Sequence, residues 1–280
     1  MIEVENLSKS YGTTKALQNI SFRIEKGEVV GFLGPNGAGK STTMRILTCY
    51  LAADSGTARI AGLDINKSPV EVKRRIGYLP ENNPLYMDMG VRDYLSFIAK
   101  MRKIPSSSIK EKVARAVHTC GLESMASKDI GELSKGYRQR LGLAQALIHD
   151  PEVLILDEPT IGLDPHQIIE IRNLIKGIGR EKTVILSSHI LPEVSATCDR
   201  VLIISKGKIA GSGTPEELAA LSSFFQYVID KFTYVGRDQI ERSIYIDTQG
   251  NTRGNPFRKP DRFRVNQYNH SSPISAEIVR

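Results

Sequence analysis

Residues 34–41 form a glycine-rich run, Gly-Pro-Asn-Gly-Ala-Gly-Lys-Ser, with the complete pattern of a phosphate-binding loop. Glycines let the backbone fold tightly and turn its N–H groups inward, where they can cradle phosphate oxygens. A short apolar run, residues 29–33, precedes the loop, and apolar residues at helical spacing follow it from Ser41 to Leu51. The sequence therefore predicts a strand, the loop and a helix whose N-terminus points its positive dipole end at bound phosphates.

The side chains of this loop indicate how a nucleoside triphosphate would be held. Lys40 would bring a positive charge to the β- and γ-phosphates, and the Ser41 hydroxyl is a candidate Mg²⁺ ligand. An accidental glycine-rich turn with a lysine is the alternative, and the predicted strand and helix on either side of the loop disfavour it. The nucleotide-binding residues that we assign here are Gly34, Pro35, Asn36, Gly37, Ala38, Gly39, Lys40, Ser41 and Thr42.

The composition is that of a chain able to bury a full core. Of its 280 residues 40% are hydrophobic, which fits one large domain or one domain with an appendage. The net charge is +7, but no dense Lys/Arg block marks a nucleic-acid-binding arm, so we expect no specific nucleic-acid partner. The spacing of Cys49, Cys120 and Cys198 fits neither a zinc site nor a disulfide framework, which predicts three reduced thiols. There is no run of 18 apolar residues, so we predict no membrane span.

Apolar patterning predicts an α/β fold with a parallel central sheet. Early in the chain, residues 2–4 and 20–24 alternate apolar and polar positions, as half-buried strands do, and residues 58–60 form another short strand. Later apolar runs do not alternate, which is typical of central strands covered on both faces. These later runs are residues 153–156, 184–186 and 201–204. Helical stretches such as Pro165–Gly177 separate them, as parallel strands require.

Two regions depart from this pattern. Residues of about 88–135 hold helical periodicity without a strand, and we interpret them as a helical insertion in which Pro105 and three serines separate two helices. Near residue 222 the composition changes, because the remaining residues hold only 2 Lys but 7 Arg, and 9 of the 18 Phe and Tyr. We therefore predict a domain of residues 1–221 and a divergent, partly disordered tail of residues 222–280. We hypothesise that this tail is a frame-shifted reading of a longer gene.

A second phosphate-site element lies at residues 153–158, where a buried strand would deliver Asp157 at its carboxyl end. Ligands bind at that end of the strands in open α/β sheets. Asp157 can hold Mg²⁺ directly or through water, and Glu158 can polarise a water for in-line attack on the γ-phosphate. A charged pair closing an ordinary strand is the alternative, and the phosphate loop upstream disfavours it.

Between these elements, residues 133–139 read Leu-Ser-Lys-Gly-Tyr-Arg-Gln. Ser134 can cap a helix that begins near Lys135, and an exposed helix N-terminus with a serine and a glycine, here Gly136, is a further anion site. Within one subunit this site would duplicate the phosphate loop. We therefore interpret Ser134 and Gly136 as ligands for a nucleotide that a second subunit holds, although an ordinary helix cap has the same local pattern.

Taken together, these residues resemble the ATP-binding subunits of ABC transporters over roughly residues 1–220. The loop at 34–41 resembles the Walker A motif, residues 133–139 the ABC signature and residues 153–158 the Walker B strand with its catalytic glutamate. Residues 162–164 resemble the D-loop, His189 the switch histidine, and Tyr11 the aromatic residue that stacks on adenine. The resemblance implies a P-loop NTPase with a mostly parallel core sheet, an N-terminal antiparallel β subdomain and an inserted helical subdomain.

The resemblance also implies a mechanism and partners. Two subunits, as a homodimer or a heterodimer, would clamp ATP between the Walker A loop of one and Ser134 and Gly136 of the other. Closure would drive membrane-spanning permease subunits docked beside the helical insertion, and hydrolysis promoted by Glu158 and His189 would reopen the pair. The cofactors implied are ATP and Mg²⁺. Such a subunit is cytoplasmic and peripheral, on the inner face of the bacterial cytoplasmic membrane.

Two positions depart from the family pattern. Glu81 occupies the place of the usual Q-loop glutamine; its carboxylate can still ligate Mg²⁺, although it adds negative charge beside the phosphates. Ile161 replaces the serine or threonine that usually begins the D-loop, so a hydroxyl able to cross the dimer interface is absent. Residues 78–86 and 133–140 are similar to the bacterial ABC-2-type branch, and especially to ATPase subunits linked with gliding motility in Bacteroidota. That similarity implies an exporter.

Two other functions are compatible with a phosphate loop. A soluble ABC-type ATPase could act on ribosomes or DNA, but ribosome-acting members usually carry two nucleotide domains, and DNA-repair members usually insert a long coiled coil or zinc modules. Neither heptads nor cysteine pairs occur in this chain. A nucleotide-dependent binding module without turnover is disfavoured by Glu158. The sequence therefore favours the ATP-hydrolysing subunit of a transporter.

Overall fold

The computed structural model of the chain describes residues 1–220, with side-chain detail for residues 1–218. The predicted tail at residues 222–280 therefore lies outside the described residues. The strands are β1 (Ile2–Tyr11), β2 (Thr14–Ile24), β3 (Val29–Leu33), β4 (Ser55–Ile60), β5 (Leu63–Asp64), β6 (Ile76–Leu79), β7 (Val153–Leu156), β8 (Thr183–Ser188), β9 (Arg200–Ser205) and β10 (Lys208–Gly213). The α-helices are α1 (Lys40–Leu47), α2 (Pro69–Arg75), α3 (Val91–Met101), α4 (Ser106–Thr119), α5 (Lys135–Leu147), α6 (Pro165–Gly179), α7 (Leu191–Ser195) and α8 (Pro215–Ala220).

The central sheet has six strands in the order β10-β9-β3-β8-β7-β6. Strands β9, β3, β8, β7 and β6 run parallel, and β10 pairs with β9 in the antiparallel sense. Every residue of β3 and β7 is buried, as the non-alternating apolar runs predict for strands covered on both faces. The mostly parallel sheet of the sequence prediction is thereby confirmed.

Each face of this sheet belongs to a different hydrophobic core. Successive side chains of a strand point to opposite faces. Val30 and Phe32 of β3 therefore pack with the antiparallel strands and α1, whereas Val29 and Leu33 pack with helices α3 to α6. Strand β7 divides in the same way, with Ile155 on the first face and Leu154 on the second. The sheet is thus fixed from both sides, and its carboxyl edge is held as one rigid frame.

The N-terminal β subdomain is a four-stranded antiparallel sheet in the order β2-β1-β4-β5. Its first two strands are longer than the alternation in the sequence predicts. The pairing of β1 with β2 shifts register at several points, and Asn6 and Asn19 have left-handed backbones with φ of 49° and 51°. Such irregularities interrupt the two-residue period, so only parts of each strand are recognisable from the sequence.

The inserted helices occur where the sequence predicts them, with α3 and α4 separated at Pro105 and two short 3₁₀ turns before α5. The helix after the phosphate loop is shorter than predicted, because it ends at Leu47 rather than Leu51. Cys49 adopts a left-handed backbone with φ of 54°, and the amides of Tyr50 and Leu51 both turn back to the Arg45 carbonyl. Cys49, Cys120 and Cys198 are free thiols, as predicted. Within residues 1–220, no helix combines the length and the apolarity that a membrane span requires.

Candidate functional site

The phosphate loop connects β3 to α1 at the carboxyl edge of the central sheet. Gly37 and Gly39 have φ of 77° and 111°, a backbone region that other residues rarely adopt. At Gly39 a Cβ would also lie 2.7 Å from the Ala16 carbonyl oxygen, and at Gly34 it would overlap the carbonyl oxygen of Ile204. The glycines of the motif are therefore required both by local conformation and by close packing.

Lys40 is buried, and its ammonium group lies inside the loop. Its Nζ donates to the carbonyl oxygens of Gly34 at 2.8 Å and Pro35 at 3.3 Å. The same Nζ lies 3.2 Å from Oε1 of Glu158, a residue that follows β7. A buried cation with one carboxylate and two carbonyl partners is well stabilised, and the position inside the loop is where a bound phosphate would meet this charge.

Asp157 and Ser41 lie together, as expected for a metal site next to the phosphates. Asp157 is 2% exposed, and its Oδ1 accepts hydrogen bonds from Ser41 Oγ at 3.2 Å and Ser187 Oγ at 2.6 Å. Burial, together with the negative charge of Asp157, raises the pKa of the neighbouring Tyr78 to about 12. No group of three or more His, Cys, Asp or Glu side chains among the described residues could hold a metal ion. One carboxylate and one hydroxyl nevertheless fit Mg²⁺, which usually binds one or two protein ligands together with phosphate oxygens and waters.

Glu158 and His189 also meet at this edge. His189 Nδ1 lies 3.0 Å from Glu158 Oε2, and the Glu158 amide donates to Ser187 Oγ at 2.8 Å. Glu158 has a left-handed backbone with φ of 49°. Such strain in a residue other than glycine persists only where surrounding contacts enforce it, and it is concentrated at functional sites. The Glu158 carboxylate thus lies between Lys40 and His189, one on each of its two oxygens.

Glu81 and Tyr11 are less constrained. Glu81 is exposed, two residues beyond Leu79, which pairs with Leu156 at the end of β7. Glu81 forms no hydrogen bond or ion pair with any other residue that the structure describes. Tyr11 ends β1 with 48% of its surface exposed, beside Gly12 in a left-handed turn. The exposed ring of Tyr11 is available for stacking on an adenine. Its role in nucleotide binding stays a prediction.

Ser134 caps α5 as predicted, because its side chain accepts a hydrogen bond from the Tyr137 amide. Gly136 lies against Gln167 of α6, where a Cβ would come within 2.8 Å of the Gln167 side chain. Both residues line a cleft of about 250 Å³ between α5 and α6. None of the residues that line this cleft belongs to the phosphate loop, so their predicted service to a second subunit stays a prediction.

Sequence reasoning missed several polar residues that hold the site together. Ser187 bridges Asp157 and the Glu158 amide, and Gln139 of α5 donates to the Pro159 carbonyl oxygen at 2.7 Å. Glu193 is a buried carboxylate that accepts from the hydroxyls of Thr160 and Ser188. The available signal was the clustering of hydroxyl residues after the Walker B strand and before His189, together with a glutamate four residues beyond it.

Comparison with known proteins gives a consistent result. A profile of the ABC transporter family matches residues 17–161. YxlF, an uncharacterised ABC transporter ATP-binding protein of Bacillus subtilis, is 38% identical over 221 residues, which cover 78% of this chain and 72% of YxlF. The Nod factor export ATP-binding protein I of Paraburkholderia xenovorans is 38% identical over 223 residues, covering 78% of this chain and 72% of that protein.

Among solved structures, cbiO1 from Clostridium perfringens, part of the ABC transporter complex cbiONQ, superposes with a TM-score of 0.73 at 32% identity. The match covers 84% of this chain and 96% of cbiO1. The phosphate loop, the buried Asp157–Glu158 pair and His189 thus occur in a fold and a sequence that agree with one family. The chain belongs to the ABC transporter family, as an ATP-binding subunit that hydrolyses ATP.

Proposed function

We propose that this chain energises an ABC-2-type exporter through ATP-driven closure of a dimer. The observation that carries the proposal is the position of the Glu158 carboxylate, 3.2 Å from Lys40 Nζ and 3.0 Å from His189 Nδ1 at the carboxyl edge of the parallel sheet. A general base for water attack and two groups that can contact the γ-phosphate are thereby collected at one point. Export is supported by the relative whose name includes Nod factor export.

In this mechanism the arrival of ATP rearranges the ion pair. The γ-phosphate carries more negative charge than a single carboxylate, so Lys40 transfers from Glu158 to the phosphates. Glu158 Oε1 is then free to accept a proton from a water molecule as the water oxygen attacks the γ-phosphorus. The bond to the bridging oxygen breaks, and ADP and phosphate are released. His189, still beside Oε2, orients the carboxylate.

Ser41 and Asp157 are the residues that would hold Mg²⁺, with Glu81 as a further metal-contact residue. When bound there, the ion would neutralise the negative charges of the β- and γ-phosphates. Glu81 is exposed and has no hydrogen-bond or ion-pair partner among the described residues. Tyr11 would stack on the adenine from the end of β1, and residues 34–42 would hold the phosphates.

Dimer closure would bring Ser134 and Gly136 of one subunit to the nucleotide of the other. No residue of the phosphate loop of the same chain lines their cleft between α5 and α6, which supports a role in a neighbouring site. On this proposal residues 1–221 form the ATP-binding domain and the insertion at about 88–135 receives the permease subunits. The protein then works in the cytoplasm, on the inner face of the bacterial cytoplasmic membrane. In its most specific form, the proposal is that this exporter takes part in gliding motility.

Mixing two inactive variants tests the shared site. In a Lys40→Ala homodimer neither phosphate loop works, and in a Ser134→Arg homodimer neither signature works. A mixed dimer holds one intact site, which pairs the loop of the Ser134→Arg chain with the signature of the Lys40→Ala chain. Equal co-expression should therefore restore about a quarter of the wild-type ATPase sites in a symmetric dimer.

The control for steric damage is Ser124→Arg, which places the same side chain on an exposed 3₁₀ turn and should retain full activity. ATPase activity of the purified full-length chains is measured with ATP and magnesium. A mixture as inactive as either parent would exclude sites shared across a homodimer. Activity in the Ser134→Arg homodimer would remove Ser134 from its assigned role.

A further inference from the structure

Glu193 in helix α7 is a buried carboxylate that has no cationic partner within the part of the chain that the structure describes. Its residue is 8% exposed, and none of the ion pairs among residues 1–218 includes it. Burying a carboxylate costs several kcal/mol unless hydrogen bonds compensate for its lost hydration. The carboxylate therefore depends on the hydrogen bonds that surround it.

Those hydrogen bonds come from the two loops that carry the proposed catalytic groups. Glu193 Oε2 accepts from Thr160 Oγ1 at 2.6 Å and from Ser188 Oγ at 3.0 Å. Thr160 lies two residues beyond Glu158, and Ser188 immediately precedes His189. One carboxylate oxygen thus joins the segment that holds the general base to the segment that holds its histidine partner.

The Ser188 hydroxyl extends this connection across His189. While donating to Glu193, the same oxygen accepts a hydrogen bond from the Ile190 amide at 3.1 Å. The backbone on both sides of His189 is therefore tied to one side chain. In addition, the Ser188 carbonyl oxygen accepts from the Gly34 amide at 3.2 Å, which connects the cluster to the phosphate loop.

The Thr160 side of the cluster is similarly restrained. The Ile161 amide donates to the Glu158 carbonyl oxygen at 3.2 Å, and Gln139 of α5 holds the intervening Pro159 carbonyl oxygen. These contacts fix a short turn in which Glu158 has its left-handed backbone. Thr160 adds a further contact to this turn, because its hydroxyl donates to Glu193, whose same carboxylate oxygen also accepts from Ser188.

We propose that Glu193 is a positioning residue that sets the separation between Glu158 and His189 during ATP hydrolysis. The inference rests on the proposed roles of Glu158 and His189 and adds a residue that acts through Thr160 and Ser188. Weakening the carboxylate anchor lets the two loops drift apart. Since a misplacement of about 1 Å can cost a hundredfold in rate, a loss of one anchor should lower kcat by about tenfold. Binding of ATP by the phosphate loop should change little.

The test compares Glu193→Gln, Thr160→Val and Ser188→Ala in the full-length protein. Each is expected to lower kcat by about tenfold while KM for ATP stays within about twofold, because the phosphate contacts remain. Thr160→Ser keeps the hydroxyl that Thr160→Val removes, so it should recover most of the lost kcat. Thermal unfolding of every variant is recorded, and rates are measured well below the lowest transition.

Thr197→Val is the matched control. The Thr197 hydroxyl donates to the Glu193 backbone carbonyl oxygen at 2.8 Å, so its loss weakens the same helix without affecting the carboxylate. Its kcat should equal that of the wild type even if its unfolding temperature falls. A kcat loss in Thr197→Val as large as in Thr160→Val would show that helix stability alone is responsible.

Glu158→Gln is assayed in parallel to separate this inference from the function on which it rests. If Glu158→Gln retains turnover, the catalytic assignment itself fails. If Glu158→Gln abolishes turnover while Glu193→Gln and both hydroxyl variants keep the wild-type kcat, the catalytic assignment stands and the positioning role of Glu193 is refuted.

Discussion

Replacing Glu158 by glutamine should make the nucleotide-free protein less stable and its binding of ATP tighter. In the structure Glu158 and Lys40 are both buried and form an ion pair with a 3.2 Å separation. The triphosphate must replace this carboxylate at Lys40, so part of the free energy of ATP binding is spent on breaking the pair. Glutamine keeps the shape of the side chain but removes its charge.

The size of the stability loss depends on which hydrogen-bond partners Lys40 keeps in the variant. Removing one partner of a buried ion pair costs about 3–5 kcal/mol when the other charge is left uncompensated. Lys40 retains the Gly34 and Pro35 carbonyl oxygens, and the glutamine oxygen can still accept one hydrogen bond. We therefore expect a loss below that range, about 2 kcal/mol in the free energy of unfolding. Because ATP no longer breaks the pair, its affinity should rise by a similar amount, or about 30-fold.

Urea denaturation without nucleotide measures the first quantity, and titration calorimetry with ATP in the absence of magnesium measures the second without turnover. The control is Glu71→Gln, which breaks the exposed ion pair with Arg74 and should change stability by less than about 1 kcal/mol. ATP affinity should be unchanged in this control. A Glu158→Gln protein as stable as the wild type, with the same ATP affinity, would refute the competition between carboxylate and phosphate for Lys40.

Two further predictions concern stability away from the phosphates. Gly142→Ala should destabilise the protein by about 1–3 kcal/mol, because the added methyl overlaps Asn83 and lies 2.6 Å from Leu79. Gly177→Ala, where the methyl meets nothing within 4 Å, should stabilise by up to about 1 kcal/mol in the same urea assay; equal effects at both glycines would contradict the packing argument. Burial, aided by the Arg102 charge, lowers the pKa of His149 from 6.5 to about 4. The contribution of His149 to the free energy of unfolding should therefore be fully present above pH 6.5 and should be lost as the pH falls from 6.5 to 4. His149→Gln should remove this part of the pH dependence, and a variant with the same pH dependence as the wild type would contradict the pKa assignment.

The local parts of the site were predictable because their signals lie within a few residues. The phosphate loop needs glycines at Gly37 and Gly39, whose left-handed backbones the sequence pattern anticipates. Ser134 as the cap of α5 and Pro105 between α3 and α4 follow from equally local rules. The continuous apolar run of β7 predicted a strand covered on both faces.

Other features could not be predicted because longer-range packing overrides local preference. Helix α1 stops at Leu47 since the chain turns back at Cys49, although apolar residues continue at helical spacing. Strands β1 and β2 extend beyond their alternating segments because their hydrogen-bonded pairing continues across several register shifts. Nothing in the sequence around Glu158 indicates its left-handed backbone, which occurs in a turn that contacts Ser187 of β8 directly and Glu193 of α7 through Thr160.

The sequence by itself determined which chemical groups this protein has available: a phosphate loop, two carboxylates after a buried strand, and a histidine after another. Backbone conformation over a few residues depends mainly on steric limits and local hydrogen bonds, which a short segment carries with it. Only the tertiary structure decided that Lys40 and His189 each lie about 3 Å from Glu158, and that Glu193 joins the segments that hold Glu158 and His189. Those distances depend on the order of strands in the sheet and on packing between residues far apart in the chain, and so they exist only once the whole domain is folded.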